Sequence, residues 1–435
     1  MGLTTGKIAE VMFENMVETY EHQTMMLDLV DAEQGDSEKL QNAGNTIWYP
    51  VQQHRPVLTG FDLTGQEQGI IEETYPISLG DPNGDLIEQR IDNMRDQRFW
   101  ERAGTQAGFQ QATQLNKDLL DLVVDTGSLH YRFDFTTQGT SGFDFISEGQ
   151  ALVNERQVYK TLGCNFILND RDTKAFASEL AGRETIKGRP SDTWLTGQIG
   201  SQVAEFDVFT SSSLKNLAGG AIATSTVDGD VSEAPEGGSA NATTKVVTNI
   251  DYRLGTIPVV SSAAYAVGDI VTFINDPGGT PVIVESLGLA DKNETGEAMT
   301  FKIVGIPGAT SVEVFPKPIA ADDAGLSTLE KAYANINTQI LDGATVVKVN
   351  LSTERSNAFF AKDSIQVMGG EVPWELMNEF GGMQVIKKPL TSGVTIYMIY
   401  DGDMIKGTFQ YRFFVWYGLA NRNPMANGSA VTFSS

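Results

Sequence analysis

At 435 residues, with 41% apolar and 9% aromatic side chains, the chain has room for about two or three domains with sizeable cores, which excludes the disordered class. Its formal charge of −25 argues against gripping nucleic acid by the phosphates, because an acidic surface repels them. A single cysteine, Cys164, excludes an intrachain disulfide and a structural zinc site of the usual kind.

No apolar run approaches membrane-spanning length, and the first residues lack a basic-then-apolar signal pattern, so a soluble product of a reducing compartment is expected. The 44 glycines predict many turns. Residues 5–34 read as an amphipathic helix. Ile8, Val11, Met12, Met16, Val17 and Tyr20 recur at helical spacing, with Glu10, Glu14, Glu18 and Glu21 on the other face. Such an arm docks either on its own core or on a neighbouring subunit, where its methionines suit a shared groove.

Asn45–Val51 is a strand signal, and Gln52–Gly80 is polar, glycine-punctuated and too poor in apolar residues for a core of its own. A two-stranded loop of that length implies an interface role. Asp81–Asp85 reads as a turn, since it lacks the ligand spacing of a calcium loop. From Leu86 to Val124 the pattern predicts a long strut helix. Its buried stripe would be Ile87, Ile91, Met94, Phe99, Trp100, Ala103, Ala107 and Leu115, with Gly104 and Gly108 weakening or bending it.

Further helices are predicted over Phe145–Lys160, with Ala151, Leu152 and Val158 inward, and over Arg171–Leu180, capped by Asp170. Between them Gly163–Asn169 reads as a buried strand in which Cys164 packs and does not react. Trp194 and Phe206–Phe209 are core candidates. From Ala221 to Phe315 the pattern turns to short strands: Lys245–Val247, Thr256–Val260, Asp269–Ile274, Pro281–Val284, Met299–Val304 and Ser311–Phe315. That spacing predicts a small antiparallel barrel or sandwich. Ser232–Asn241 is a polar loop with Glu233 and Glu236 at its tip.

The stretch Phe315–Thr338 marks where this β block hands the chain back. Pro316 and Pro318 stop ladder pairing, Asp322, Asp323 and Gly325 turn the chain, and Ser327 with Glu330 has capping-box spacing, so a short helix is predicted near Thr328. Val346–Val349, Ser364–Met368, Gly393–Tyr400 and Tyr411–Tyr417 are strands, the last two suited to the middle of a sheet; the tail from Asn421 reads as polar.

Catalytic signatures are missing: no GxxxxGK[ST], strand-linked GxGxxG, HExxH or GxSxG occurs. Asp322-Asp323 and Asp401-Gly-Asp403 read as solvated turns, and His22, His54 and His130 are scattered. No catalytic, cofactor-binding or metal residue is therefore assigned, and no cofactor is expected. Three classes stay open on these grounds: an enzyme with an unmarked site, a carbohydrate- or protein-binding β module, and a structural assembly protein. The arm, the long loop and the strut favour the third.

Four segments in order resemble the coat protein of the short-tailed Salmonella phages of Lederbergvirus type: Asn45–Val51, Gly268–Phe273, Phe315–Ile319 with Lys331–Thr338, and Val415–Leu419. The resemblance runs over essentially the whole chain. It implies an α+β, HK97-like capsid fold with an inserted antiparallel β-barrel domain. The implied divisions are an N-terminal arm (1–40), a strand and extended loop (41–80, the loop about 52–80), a peripheral domain with a spine helix (81–130, the helix about 86–124), further peripheral and axial segments (131–221), the insertion (222–330) and an axial domain with return strands (331–435).

It also implies a major capsid protein that assembles with a scaffolding protein into a precursor shell of hexamers and pentamers. That shell would expand as an icosahedral head around double-stranded DNA, meet a portal protein, involve no membrane, and form in the host bacterial cytoplasm before residing in the virion. Ser232–Asn249 matches the place of an interface loop, but here it is acidic, with Lys245 its only basic residue. An encapsulin-like compartment shell and a β-module binding protein are the alternatives.

Overall fold

The computed structural model describes all of the chain except residues 1–4, 36–44, 52–60, 62–71, 91–96, 136–141, 158–162, 175, 177–197, 218–224, 238–250, 277–278, 352, 373–383, 391, 404 and 434–435. It is an α+β protein in two compact units. One comprises residues 1–47, 77–119 and 366–420; the other comprises 48–76, 120–365 and 421–435.

In the first unit the arm helix runs over Thr5–Gln23. Ala9, Met12, Phe13, Met16, Val17 and Tyr20 are buried, and the four predicted glutamates are exposed. Burial of each large apolar side chain is worth roughly 1.5–3 kcal/mol, so packing holds this helix more than propensity does. It ends well short of residue 34. Asn116 of the long helix meets that end, donating Nδ2–H to the Gln23 carbonyl at 2.9 Å and accepting the Met26 N–H at 3.3 Å. Asp31–Gln34 then pairs in parallel with Gln366–Gly369, and this ladder displaces the helix expected there.

The strut also differs from its expected bounds. Asn83–Arg90 is a strand with Leu86, Glu88 and Arg90 outward, paired along its length with Thr408–Val415, so Ile87 is a sheet residue. The strand starts inside the predicted Asp81–Asp85 turn. The helix itself is Gln97–Thr126. Trp100, Ala103, Ala107 and Leu115 are buried as expected, while Ile91 and Met94 lie outside the described residues. Gly104 and Gly108 are not bends. A Cβ at either would stand 2.4 Å from the Met12 carbonyl oxygen or 2.5 Å from that of Met16, so the two glycines let the arm helix approach backbone to backbone. Behind it lies a four-stranded antiparallel sheet in the order 384–389, 395–403, 408–415, 83–90. The two apolar strands predicted for the middle of a sheet occupy its middle.

The second unit contains a seven-stranded sheet, in the order 129–133, 427–432, 354–361, 164–169, 206–211, 198–203, with 216–217 pairing 354–361. Helix Gly142–Glu155 packs on it through Phe145, Ile146, Gly149 and Val153, whereas Ala151 is exposed and Val158 lies outside the described residues. Cys164, Phe166 and Leu168 join the same core with Phe206 and Val208. Trp194 is outside the described residues, as is half of Arg171–Leu180; Asn169, not Asp170, accepts the Arg171 N–H at 3.1 Å. The polar tail includes strand Asn427–Thr432, buried at every position, a strand that the sequence reading did not assign.

Strands 198–203 and 206–211 are joined through Ala204 (φ 47°) and Glu205 (φ 65°), with Val203 opposite Phe206. Two successive left-handed residues make a type I′ hairpin turn, which favours Asn-Gly. The double substitution Ala204→Asn, Glu205→Gly is expected to stabilise the chain by about 1 kcal/mol, seen as a higher urea midpoint. A lowered midpoint would contradict that turn assignment.

The β block of this unit is a six-stranded antiparallel sheet, 255–258, 311–315, 301–308, 270–275 and 282–283, with 345–348 pairing 270–275. A hairpin of Glu285–Leu287 and Glu294–Ala298 lies beside it in sequence and was not predicted. Lys245–Val247 falls outside the described residues. One apolar core runs from Val227 through Phe273, Phe301 and Val314 to Ile336, Ile340 and Val346, so it continues past residue 330.

Candidate assembly surfaces

The arm helix presents Glu10, Glu14, Glu18 and Glu21 to solvent while its apolar side is used up on its own chain. The glycine seat fixes its depth, so the acids form a ridge of set position. Glu233, expected at a free loop tip, is tied down instead. Its Oε1 accepts the Thr256 N–H at 2.6 Å, and its Oε2 lies 4.0 Å from Lys317 Nζ. Gly237 lies against the Glu72 carbonyl, and residues 238–249 of the expected interface loop are outside the described residues.

The return stretch folds back on itself. The Ile319 N–H donates to Asn335 Oδ1 at 3.0 Å, Asn335 Nδ2 donates to the Lys317 carbonyl at 2.7 Å, and Ala321 N–H donates to the Ile336 carbonyl at 3.0 Å. Within the loop the capping box forms as its spacing predicts. The Ser327 N–H donates to Glu330 Oε2 at 2.7 Å, and the Glu330 N–H to Ser327 Oγ at 3.3 Å. It starts only a single 3-10 turn, Glu330–Tyr333. Asp322 accepts from Thr338 Oγ1 and the Gln339 N–H, and Asp323 from the Gly325 N–H, so both serve the turn.

Beside this stretch lies a cavity of about 80 Å³, whose lining includes Glu73, Arg253, Lys292, Lys317 and Tyr333. Arg253 lies 4.5 Å over the Tyr75 ring and 5.4 Å over that of Phe315, its guanidinium held by Asp251 at 2.7 Å. The Glu73 carboxyl is pushed up to about 7 by burial, against the pull of Lys317 and Arg253. Burial likewise lowers Lys292 to about 8. Lys317 and Tyr333 lie in segments that carry the family resemblance, but none of these residues was assigned a role from the sequence. They come from segments as far apart as residues 73 and 333, and only the fold brings them together.

The groups considered for chemistry sit in structural roles. His130 is buried between Ser429 Oγ (2.8 Å) and the Gly127 carbonyl (2.9 Å), and burial holds its pKa down to about 3, so the ring is neutral. Cys164 is buried at the start of its strand. Lys302, almost fully enclosed, donates to the Val124 carbonyl at 2.6 Å and to Asp125 Oδ1 at 3.0 Å. It thereby places a cation at the C-terminal end of the long helix, where the exposed carbonyls favour one. Among the described residues no group of three or more His, Cys, Asp or Glu could hold a metal ion.

A family model described as P22 coat protein, gene protein 5, matches residues 1–432. Among solved structures, the capsid of cyanophage P-SCSP1u is similar at 9% identity and TM-score 0.44, over 95% of this chain and 89% of that one. A structure of Mycobacterium phage Che8 is similar at 11% identity and TM-score 0.40, over 94% and 90%. A virus-like particle from Pyrococcus furiosus is similar at 8% identity and TM-score 0.39, over 97% and 98%. The family match, not these distant likenesses, carries the assignment.

Proposed function

The chain belongs to the P22 coat protein family and is a major capsid protein of the virion, and we propose that its subunits assemble with a scaffolding protein into the hexamers and pentamers of an icosahedral phage head. The observation that carries this reading is the family match across residues 1–432. A portal protein at one vertex and double-stranded DNA inside complete the proposal. Residues 1–40 would act as the arm, about 52–80 as the extended loop, and 222–330 as the inserted domain. The continuous antiparallel sheet supports treating that block as a domain, and its shared core supports extending it to Lys348.

The physical chemistry agrees with this use. A shell subunit needs rigid struts and adhesive edges and no reactive centre. A wall of subunits each carrying −25 does not hold DNA by its phosphates, so packaged DNA stays free to leave. Assembly in the host cytoplasm is consistent with the one buried, unbridged cysteine.

Co-expression of the full chain with its phage's scaffolding protein, followed by electron microscopy, tests the proposal. Closed shells that require the scaffold are expected. Shells that form as readily without it would favour a cellular compartment shell, and monomers or amorphous aggregate would count against assembly altogether.

A further inference from the structure

Glu73 stands out among the buried acids because its backbone is engaged and its side chain is not. Its carbonyl accepts the Val51 N–H at 2.8 Å, and its own N–H donates to Tyr333 Oη at 3.2 Å. The residue is 5% exposed and lines the cavity of about 80 Å³, yet its Oε1 is buried with no hydrogen-bond partner. A cavity of that size has room for water, and charged groups stand in its otherwise largely apolar lining, so the carboxyl can change its partners.

The cations around this cavity are already engaged elsewhere. Lys317 Nζ donates to the Ala234 carbonyl at 3.3 Å and approaches Glu233 at 4.0 Å; Lys292 Nζ donates to the Ala334 carbonyl at 3.1 Å. Arg253 is held by Asp251 and by the Asn421 carbonyl. Among the described residues no ion pair joins Glu73 to any of them. Asp251 and Glu236 add repulsion, and Tyr333 Oη accepts the backbone N–H of Glu73. An ionised carboxyl here is therefore desolvated with no direct counter-ion, whereas a neutral one is tolerated.

We infer that Glu73 is a proton-operated lock: with its carboxyl protonated, the Val51–Glu73 pairing stays seated against the return stretch 315–338, and ionisation of that carboxyl opens the seat. The sign follows from burial. The seated form binds the proton up to about pH 7, and a solvated carboxyl loses it near its ordinary 4.5. Seating is thus fully favoured below the lower value, weakens about tenfold per pH unit between the two, and levels off above the higher. The lock works within one subunit, on residues that flank the expected extended loop, and does not depend on the assembly reading.

Hydrogen exchange on the full chain at pH 5 and pH 8, corrected for the intrinsic rate, tests it at the Val51 and Glu73 amides. The wild type is expected to lose protection there roughly fiftyfold between the two pH values, while the central-sheet amide of Phe359 serves as the reference. Glu73→Gln keeps the shape without the titration and is expected to show no such loss. Lys317→Met removes the strongest charge favouring the carboxylate and is expected to move the transition to higher pH. Equal protection at both pH values in the wild type would overturn the lock. So would an undiminished loss in Glu73→Gln, or a Lys317→Met effect that is the same at every pH.

Discussion

Replacing Gly428 with alanine is expected to cost about 4 kcal/mol or more and to leave most of the chain insoluble. Gly428 lies in strand Asn427–Thr432, opposite Leu129 on the parallel side and Phe359 on the antiparallel side. A Cβ there would come within 1.7 Å of the Leu129 carbonyl oxygen, 2.5 Å of its carbonyl carbon and 2.8 Å of its Cβ. None of these atoms can rotate away, because they belong to the paired backbone or sit directly on it. The sheet must part at this rung, in a strand buried at every position, or the strand must slip. A domain's whole stability is only about 5–15 kcal/mol, so a loss of that size depletes the folded state. Gly402→Ala is the control: a Cβ there meets nothing within 4 Å, and its effect should stay within about 0.5 kcal/mol. Soluble yield and the urea midpoint are the readouts; a Gly428→Ala midpoint equal to wild type would refute the close approach.

That same strand shows what the sequence hides. Asn427-Gly-Ser-Ala-Val-Thr432 reads as part of a polar tail, with no strand signal. In the fold its polar groups have buried partners. Asn427 Nδ2 donates to Asn421 Oδ1 at 2.8 Å, Ser429 Oγ meets His130 Nδ1 at 2.8 Å, and Thr432 Oγ1 donates to Asp172 Oδ2 at 2.6 Å. Strand Glu354–Ala361 was missed for the same reason: Glu354 pairs with Arg132 at 2.8 Å, and Asn357 with Asp172 at 2.8 Å. Hydropathy rates such residues by their affinity for water, and buried partners, most of them far away in the sequence, change that balance.

Where one face meets one local neighbour, the sequence was readable. The alternation of acids and apolar residues in the arm, the aromatic strands of the four-stranded sheet and the capping box at Ser327–Glu330 all rest on local spacing. The error over Leu86–Arg90 has a different origin. Five residues fit a helical stripe and a strand alternation equally, and pairing with Thr408–Val415 decides between them. The family was legible because its signature is a set of segments in order, which survives ignorance of their contacts. Glu73 and its cavity were not legible, since no short window contains two of the groups that raise its proton affinity.

The boundary of the β block leads to the other large expected effect. Its core continues past residue 330 because strand Thr345–Lys348 pairs with Ile270–Asn275, and a buried ion pair pins that strand. Lys348 Nζ lies 2.6 Å from Asp269 Oδ2, with the two side chains 1% and 0% exposed. Asp269 also accepts the Ala266 N–H at 2.8 Å and Asn350 Nδ2–H at 3.3 Å, so its charge is spread over three donors. Lys348→Met removes only the cation and leaves a carboxylate without one in the core, which should cost about 3–5 kcal/mol. Removing both charges, as Asp269→Leu with Lys348→Met, should cost less than the sum of the single changes. What remains is the loss of partners for the Ala266 amide and Asn350, about 1–3 kcal/mol. Because the pair is enclosed, the coupling should persist in high salt, unlike that of a surface pair. Urea unfolding of the full chain in all four forms of the cycle measures it. Costs that simply add would mean that Lys348 and Asp269 do not hold this strand together, and that the β block closes on its apolar core alone.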